Sequence, residues 1–204
     1  RLVGSEMCIR DRIYNALRIL YGQPPKTFDF EYTDTDKVYH CDRGLTPKSF
    51  LEKYVGNDFD DYVVIISSPI HEIDRTYCQP FMGDVVEDNM FWLNLSQEEL
   101  EDLTIRQLQA GEGVMFSCDC HPDGDRANGY WDPDCFQYGE VLGGLTFHMT
   151  KAERLLTRDS TMNHCMMFCG VNLEENGTAN RWKIENSWGD KNGEKGYYVC
   201  SDSW

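Results

Sequence analysis

The sequence predicts an α+β fold, on three observations. Segments with helical periodicity lie mostly in the first half. Segments that read as strands cluster at the end. The composition, with 41% hydrophobic and 13% aromatic residues in 204, is that of a globular chain and not a disordered one. No apolar run is long enough to span a bilayer, so no membrane segment is expected. The net charge of −16 argues against nucleic acid as a partner. It suits a cationic ligand, such as the free amino group of a peptide, or serves solubility alone.

The elements follow in order. Residues 13–21 space Ile13, Leu17 and Leu20 at helical intervals and stop before Gly22 and the Pro24–Pro25 pair. Residues 27–40 alternate aromatic and polar side chains, which predicts a hairpin turning near 34–36. Thr46 followed by Pro47 starts a helix that Gly56 ends. Residues 61–69 read as a short buried strand. Ser96 and Glu99 make a capping box, and Leu100, Leu103 and Leu108 mark the face of a helix ending near Gly111. Residues 113–119 read as a buried strand and 120–144, rich in Gly, Asp and Pro, as a long irregular loop. A helical turn at 151–156 precedes three strands at 164–171, 181–185 and 196–201.

The nine cysteines are odd in number, and several sit inside apolar runs. They read as buried free thiols in a reducing cytoplasm, not as a disulfide framework. Asn94 and Asn176 match glycosylation sequons, a pattern common by chance. Residues 1–12, RLVGSEMCIRDR, resemble the translation of a sequencing-adapter read-through and are set apart from the fold. By that reading the chain is a fragment, and the ending at 201–204 points the same way.

His164 opens one predicted strand, and Asn186 lies at the far end of the next. If the two strands pair antiparallel, the imidazole and the carboxamide meet. A side-chain carbonyl on one ring nitrogen fixes the tautomer and aims the other nitrogen outward, the general arrangement of an oriented base. Trp188 would cover that contact. Taken singly, the three residues read as a rim histidine, a turn asparagine and a core tryptophan.

The segments NHCMMFCGV and RWKIENSWGDKNGEKGYYV resemble the histidine and asparagine segments of papain-like cysteine peptidases. PPKTFDFEYTDTDK, LTPKSFLEKYVG, IRQLQAGEGVMFSCD and KAERLL are similar to the bleomycin hydrolase and aminopeptidase C branch, so the resemblance covers residues 13–204. It implies a papain-like fold, with helical and mixed elements over 13–112 and the β-rich, barrel-like half over 113–204. It implies His164 as catalytic base, Asn186 as its orienting amide and peptides as substrates, with no metal or cofactor. It also implies a hexameric assembly and a C-terminal arm, which would follow Trp204. The family's nucleophile segment, a Gln-Gly…Cys-Trp run, has no counterpart here, and the glutamine of the oxyanion hole goes with it. The fragment alone is therefore expected to be inactive. Cys118 and Cys120 beside Asp119 and His121 are poor substitutes, because no helix N-terminus lowers their pKa. Cys165 and Cys169 follow His164 too closely to meet its ring in line. The spacing of Cys118, Cys120, His121 and Cys135 does not match paired zinc ligands, and the acids of 119–134 do not match an EF-hand. The alternatives are a non-catalytic binding or metal-binding module using the acidic loop, or an inactive homologue.

Overall fold

The computed structural model describes residues 3–56, 61–79, 90–147 and 149–204. Arg1 and Leu2 of the set-apart stretch, and the thiol of Cys8, lie outside that description. The chain divides into two compact units, Arg1–Tyr62 and Val63–Trp204.

In the first unit α1 runs Val3–Tyr21, through most of the stretch set apart above, and ends where predicted. The hairpin of β1 (Phe28–Thr33) and β2 (Tyr39–Leu45) is antiparallel. Its turn is tied by Asp34, whose Oδ1 accepts from Val38 N at 2.8 Å. Thr46 and Ser49 form a reciprocal cap on α2 (Pro47–Phe50), which continues as a π-helical turn, Leu51–Val55. Gly56 closes it with φ of 92°, a left-handed value open to glycine without strain. Phe30 packs edge-on to Phe50 and Tyr54, with centroids 5.0 and 4.9 Å apart, and this aromatic cluster is the unit's small core.

Among its described residues the second unit contains two sheets. β3 (Val64–Ile66), β4 (Arg75–Gln79) and β5 (Met90–Asn94) form a three-stranded sheet with β5 central. Only β3 was predicted, and it is shorter and more exposed than a buried strand. Asn94 ends β5 at 0% exposure. Its Oδ1 accepts from Ser68 N at 2.8 Å, and its Nδ2 donates to the carbonyls of Ser68, His71 and Glu72 at 3.1, 3.3 and 3.0 Å. A side chain so enclosed cannot carry a glycan.

α3 (Gln97–Gln109) begins at the Ser96–Glu99 capping box and packs on the second sheet through Ile105 and Leu108. Leu103 is exposed, so the inner face is rotated from the predicted one and includes Thr104, whose buried hydroxyl donates to Leu100 O at 2.7 Å. The six-stranded sheet has the order β6-β9-β10-β11-β8-β7. Its strands are β6 (Val114–Cys118), β7 (Gly124–Asp125), β8 (Tyr130–Trp131), β9 (His164–Leu173), β10 (Ala179–Glu185) and β11 (Tyr197–Ser201). β6 alternates between inside and outside, with Met115 71% exposed, where a fully buried strand was expected. The predicted irregular loop holds more structure than expected: β7, β8, a 3-10 turn at Pro133–Cys135 and α4 (Tyr138–Val141). β8 pairs in parallel with β11 and sends Trp131 into the core, 2% exposed. α5 (Lys151–Thr157) starts at a Thr150–Glu153 capping box. The core gathers Cys120, Trp131, Met166, Ala179, Trp182, Ile184, Tyr198 and Cys200.

Candidate active site

Alternation along β10 places Trp182 and Ile184 inside, and Asn186, the first residue past the strand, continues the same phase. β9 is less regular. Val171 and Leu173 face inward near its end, yet His164, Met166 and Phe168 face inward near its start. Strict alternation forbids both. The register with β10 explains it: Lys183 pairs with Gly170, but Ile184 pairs with Phe168, so Cys169 is skipped. This bulge adds one residue to β9 and returns His164 to the inner side. Cys165, directly after His164, is left on the outer face.

The two strand ends then meet. His164 Nε2 lies 2.8 Å from Asn186 Oδ1. The same oxygen accepts from the backbone N–H of Ser187 at 2.8 Å. A backbone N–H can only donate, so the atom facing it is the amide oxygen. Nε2 of His164 must then be the protonated nitrogen, and Nδ1 keeps its lone pair. Asn186 Nδ2 is buried and has no partner among the described residues. Trp188 stacks on the imidazole, with centroids 4.8 Å apart and planes 17° from parallel. Tyr198 meets Trp188 edge-on at 5.8 Å, and Trp131 packs at 6.1 Å. The three residues singled out from sequence therefore come together.

Sequence reasoning missed the support beneath the imidazole. Asn163 N donates to Cys118 O at 3.0 Å, fastening the start of β9 to the end of β6. Asn163 Nδ2 donates to Asp119 Oδ1 at 2.5 Å, and its Oδ1 accepts from Cys120 N at 3.1 Å. Burial works to raise the Asp119 carboxyl. Donors from Asn163, His121 N and Thr161 N outweigh it, so the group sits below the usual carboxylate range. The signal for this network was the polar residue just before His164 together with Asp119 at the end of a strand. Arg126 was also missed. It is a lone cation in an acidic loop, and its guanidinium carbon lies 4.3 Å from the Trp188 ring centroid.

Five of the thiols do not resemble an activated nucleophile. Burial, then Cys120 and Asp119, push Cys118 up to about 12. Burial, then Cys118 and Asp202, push Cys200 to about 12 as well. Burial also raises Cys120, Cys135 and Cys169. A reactive cysteine needs the opposite shift. Among the described residues no group of three or more His, Cys, Asp or Glu is placed to hold a metal ion, and no helix is long and apolar enough to cross a membrane.

With this geometry in place, similarity defines the class. The profile of the Peptidase C1-like family matches residues 3–204, and the chain belongs to that family. It is 43% identical to aminopeptidase E of Lactobacillus helveticus, over 94% of this chain and 44% of that protein. It is 42% identical to aminopeptidase W of Lactobacillus delbrueckii subsp. lactis, over 100% of this chain and 46% of that one. The crystal structure of PepW from Lactobacillus rhamnosis superposes with a TM-score of 0.91 at 43% identity, covering 98% of this chain and 45% of that chain. The chain thus spans less than half the length of these relatives. The α+β, papain-like assignment and the resemblance to the aminopeptidase C group both hold.

Proposed function

We propose that this chain carries the base-bearing portion of a cysteine aminopeptidase of the bleomycin hydrolase type, which removes N-terminal residues from peptides by a Cys–His–Asn mechanism. The observation that carries this reading is the 2.8 Å contact between His164 Nε2 and Asn186 Oδ1, stacked under Trp188. Asn186 holds the Nε2–H tautomer, so Nδ1 is the nitrogen that exchanges protons. The nucleophilic thiol and the oxyanion donors come from sequence outside these 204 residues.

The thiol gives its proton to Nδ1, forming a thiolate–imidazolium pair. The thiolate attacks the carbonyl carbon of the first peptide bond. The imidazolium returns the proton to the leaving amine as the C–N bond breaks, leaving a thioester. Nδ1 then takes a proton from water, whose hydroxide releases the N-terminal amino acid and restores the thiol. Trp188 covers the Nε2–H···O bond and keeps water from competing for it. The five raised thiols support an external nucleophile. A reducing cytoplasmic setting and an assembly of several copies belong to the same reading.

The test is hydrolysis of an aminoacyl fluorogenic substrate by the intact enzyme containing this chain. The wild type turns over and is inactivated by iodoacetamide. His164→Ala does not turn over. Retention of wild-type rates in His164→Ala overturns the reading.

A further inference from the structure

Beside the His164–Asn186 pair lies a cavity of about 170 Å³ lined by Cys120, His121, Gly124, Arg126, Trp131 and Trp188. It shares the Trp188 wall with the imidazole. Two of its lining side chains are hydrogen-bond donors available to an anion. Arg126 is exposed, lies on the Trp188 ring and makes no ion pair among the described residues, in a chain of net charge −16. His121 is the second. Asn163 Oδ1 is committed to Cys120 N, so the group facing His121 Nδ1 at 3.0 Å is the Asn163 amide nitrogen, a donor. Nδ1 of His121 is then the acceptor, and its Nε2 carries the hydrogen. Its side chain is 82% exposed.

The loop that presents Arg126 is firmly built. Asp125 Oδ1 accepts from Ala127 N and Asn128 N at 3.1 and 3.0 Å, and its Oδ2 accepts from Asn128 Nδ2 at 2.7 Å. The carboxylate next to Arg126 in sequence is thus occupied with the turn. Gly129, at φ of +83°, sits so close to Gly193 that a Cβ there would come within 2.4 Å of its Cα. Tyr198 donates from its hydroxyl to Arg126 O at 3.4 Å.

We infer that Arg126 and His121 form a carboxylate-binding site for the residue on the leaving side of the scissile bond. The inference rests on the peptidase reading above. The α-carboxyl carbon of a leaving amino acid is about 2.5 Å from the nitrogen that the imidazole protonates. Trp188 touches both the imidazole and the Arg126 guanidinium, so in this inference a dipeptide carries its terminal carboxylate past the indole to the planar guanidinium, which donates to it side-on. Two sources can supply this group: the free terminus of a dipeptide, or an acidic side chain at the second position of a longer peptide.

The experiment uses the intact enzyme and three substrates: leucyl-alanine, leucyl-alaninamide and leucyl-glutamamide. The readout is the ratio of kcat/KM for each acid to that for leucyl-alaninamide. Arg126→Met lowers the leucyl-alanine ratio about twofold to fivefold, the upper range for a solvent-exposed ion pair. Arg126→Lys keeps most of it, and added salt erodes the wild-type ratio. A fall confined to leucyl-glutamamide assigns the site to acidic side chains. Unchanged ratios for both acids in Arg126→Met overturn the inference. His164→Ala run in parallel separates the two claims: if it remains active, the peptidase reading fails and this inference fails with it.

Discussion

Two asparagines end strands in the second unit, and they are used in opposite ways. Asn94 closes β5 with both ends of its amide engaged, one acceptor and three donor contacts, all to backbone. It acts as a piece of main chain, knitting the 68–72 turn to the sheet. Asn186 follows β10 with its oxygen engaged, toward one backbone N–H and one imidazole, while its buried NH2 has no partner among the described residues. An unmet buried donor costs about 1–3 kcal/mol. A saturated buried amide marks architecture; one held by a single atom against a titratable ring marks chemistry.

The largest effect is expected at His164. In the intact enzyme, His164→Ala should lower kcat/KM by about a thousandfold or more, equivalent to about 4 kcal/mol of barrier. Its thermal midpoint should barely move. Next comes Asn94→Ala, which strands three carbonyls and one N–H. Urea unfolding should show a loss of about 3 kcal/mol, with the specific activity of the folded fraction unchanged. Asn186→Ala should reverse that pattern. It should cost about tenfold to a hundredfold in kcat, because the ring remains but is poorly aimed, and less than about 1 kcal/mol in stability. If Asn186→Ala unfolds the protein and Asn94→Ala is silent, the assignment of the two amides is inverted.

The smallest effect concerns pH. Glu101 on α3 is pushed up to about 7 by burial and then by Asp202, which itself accepts from Trp182 Nε1 at 2.8 Å. The folded state therefore holds a proton that the unfolded chain releases near 4.5. Stability is full below that value and declines as pH rises toward about 7. Allowing for the exposure of Glu101, the loss is about 1 kcal/mol, or about 3 °C in midpoint. Glu101→Gln should flatten the profile between pH 5 and 8, as thermal melts would show. An unchanged slope would place the shared proton elsewhere.

Much of the site could be read from the chain because strand ends and alternation are local properties. The capping signals at Thr46, Ser96 and Thr150 likewise act within one turn of helix. What could not be read depends on partners distant in sequence. β4 and β5 stabilise one another and leave no clear pattern alone. The 120–144 segment looked irregular because β7 and β8 are two residues each, and β8 becomes a strand only against β11. The burial of Asn94 defeats its sequon, since the tripeptide does not record the carbonyls around it. Leu103 fits the helical period but points outward, because the face of α3 was set by the sheet beneath it.

The surplus residue in β9 has a wider consequence. It uncouples the two ends of one strand. Beyond Cys169 the chain is bound by the needs of packing, and before it by the needs of the imidazole. Removing that single position would leave the composition of the strand nearly untouched while turning the histidine toward solvent. The number of residues between Phe168 and Val171, more than their identity, sets which way the imidazole faces.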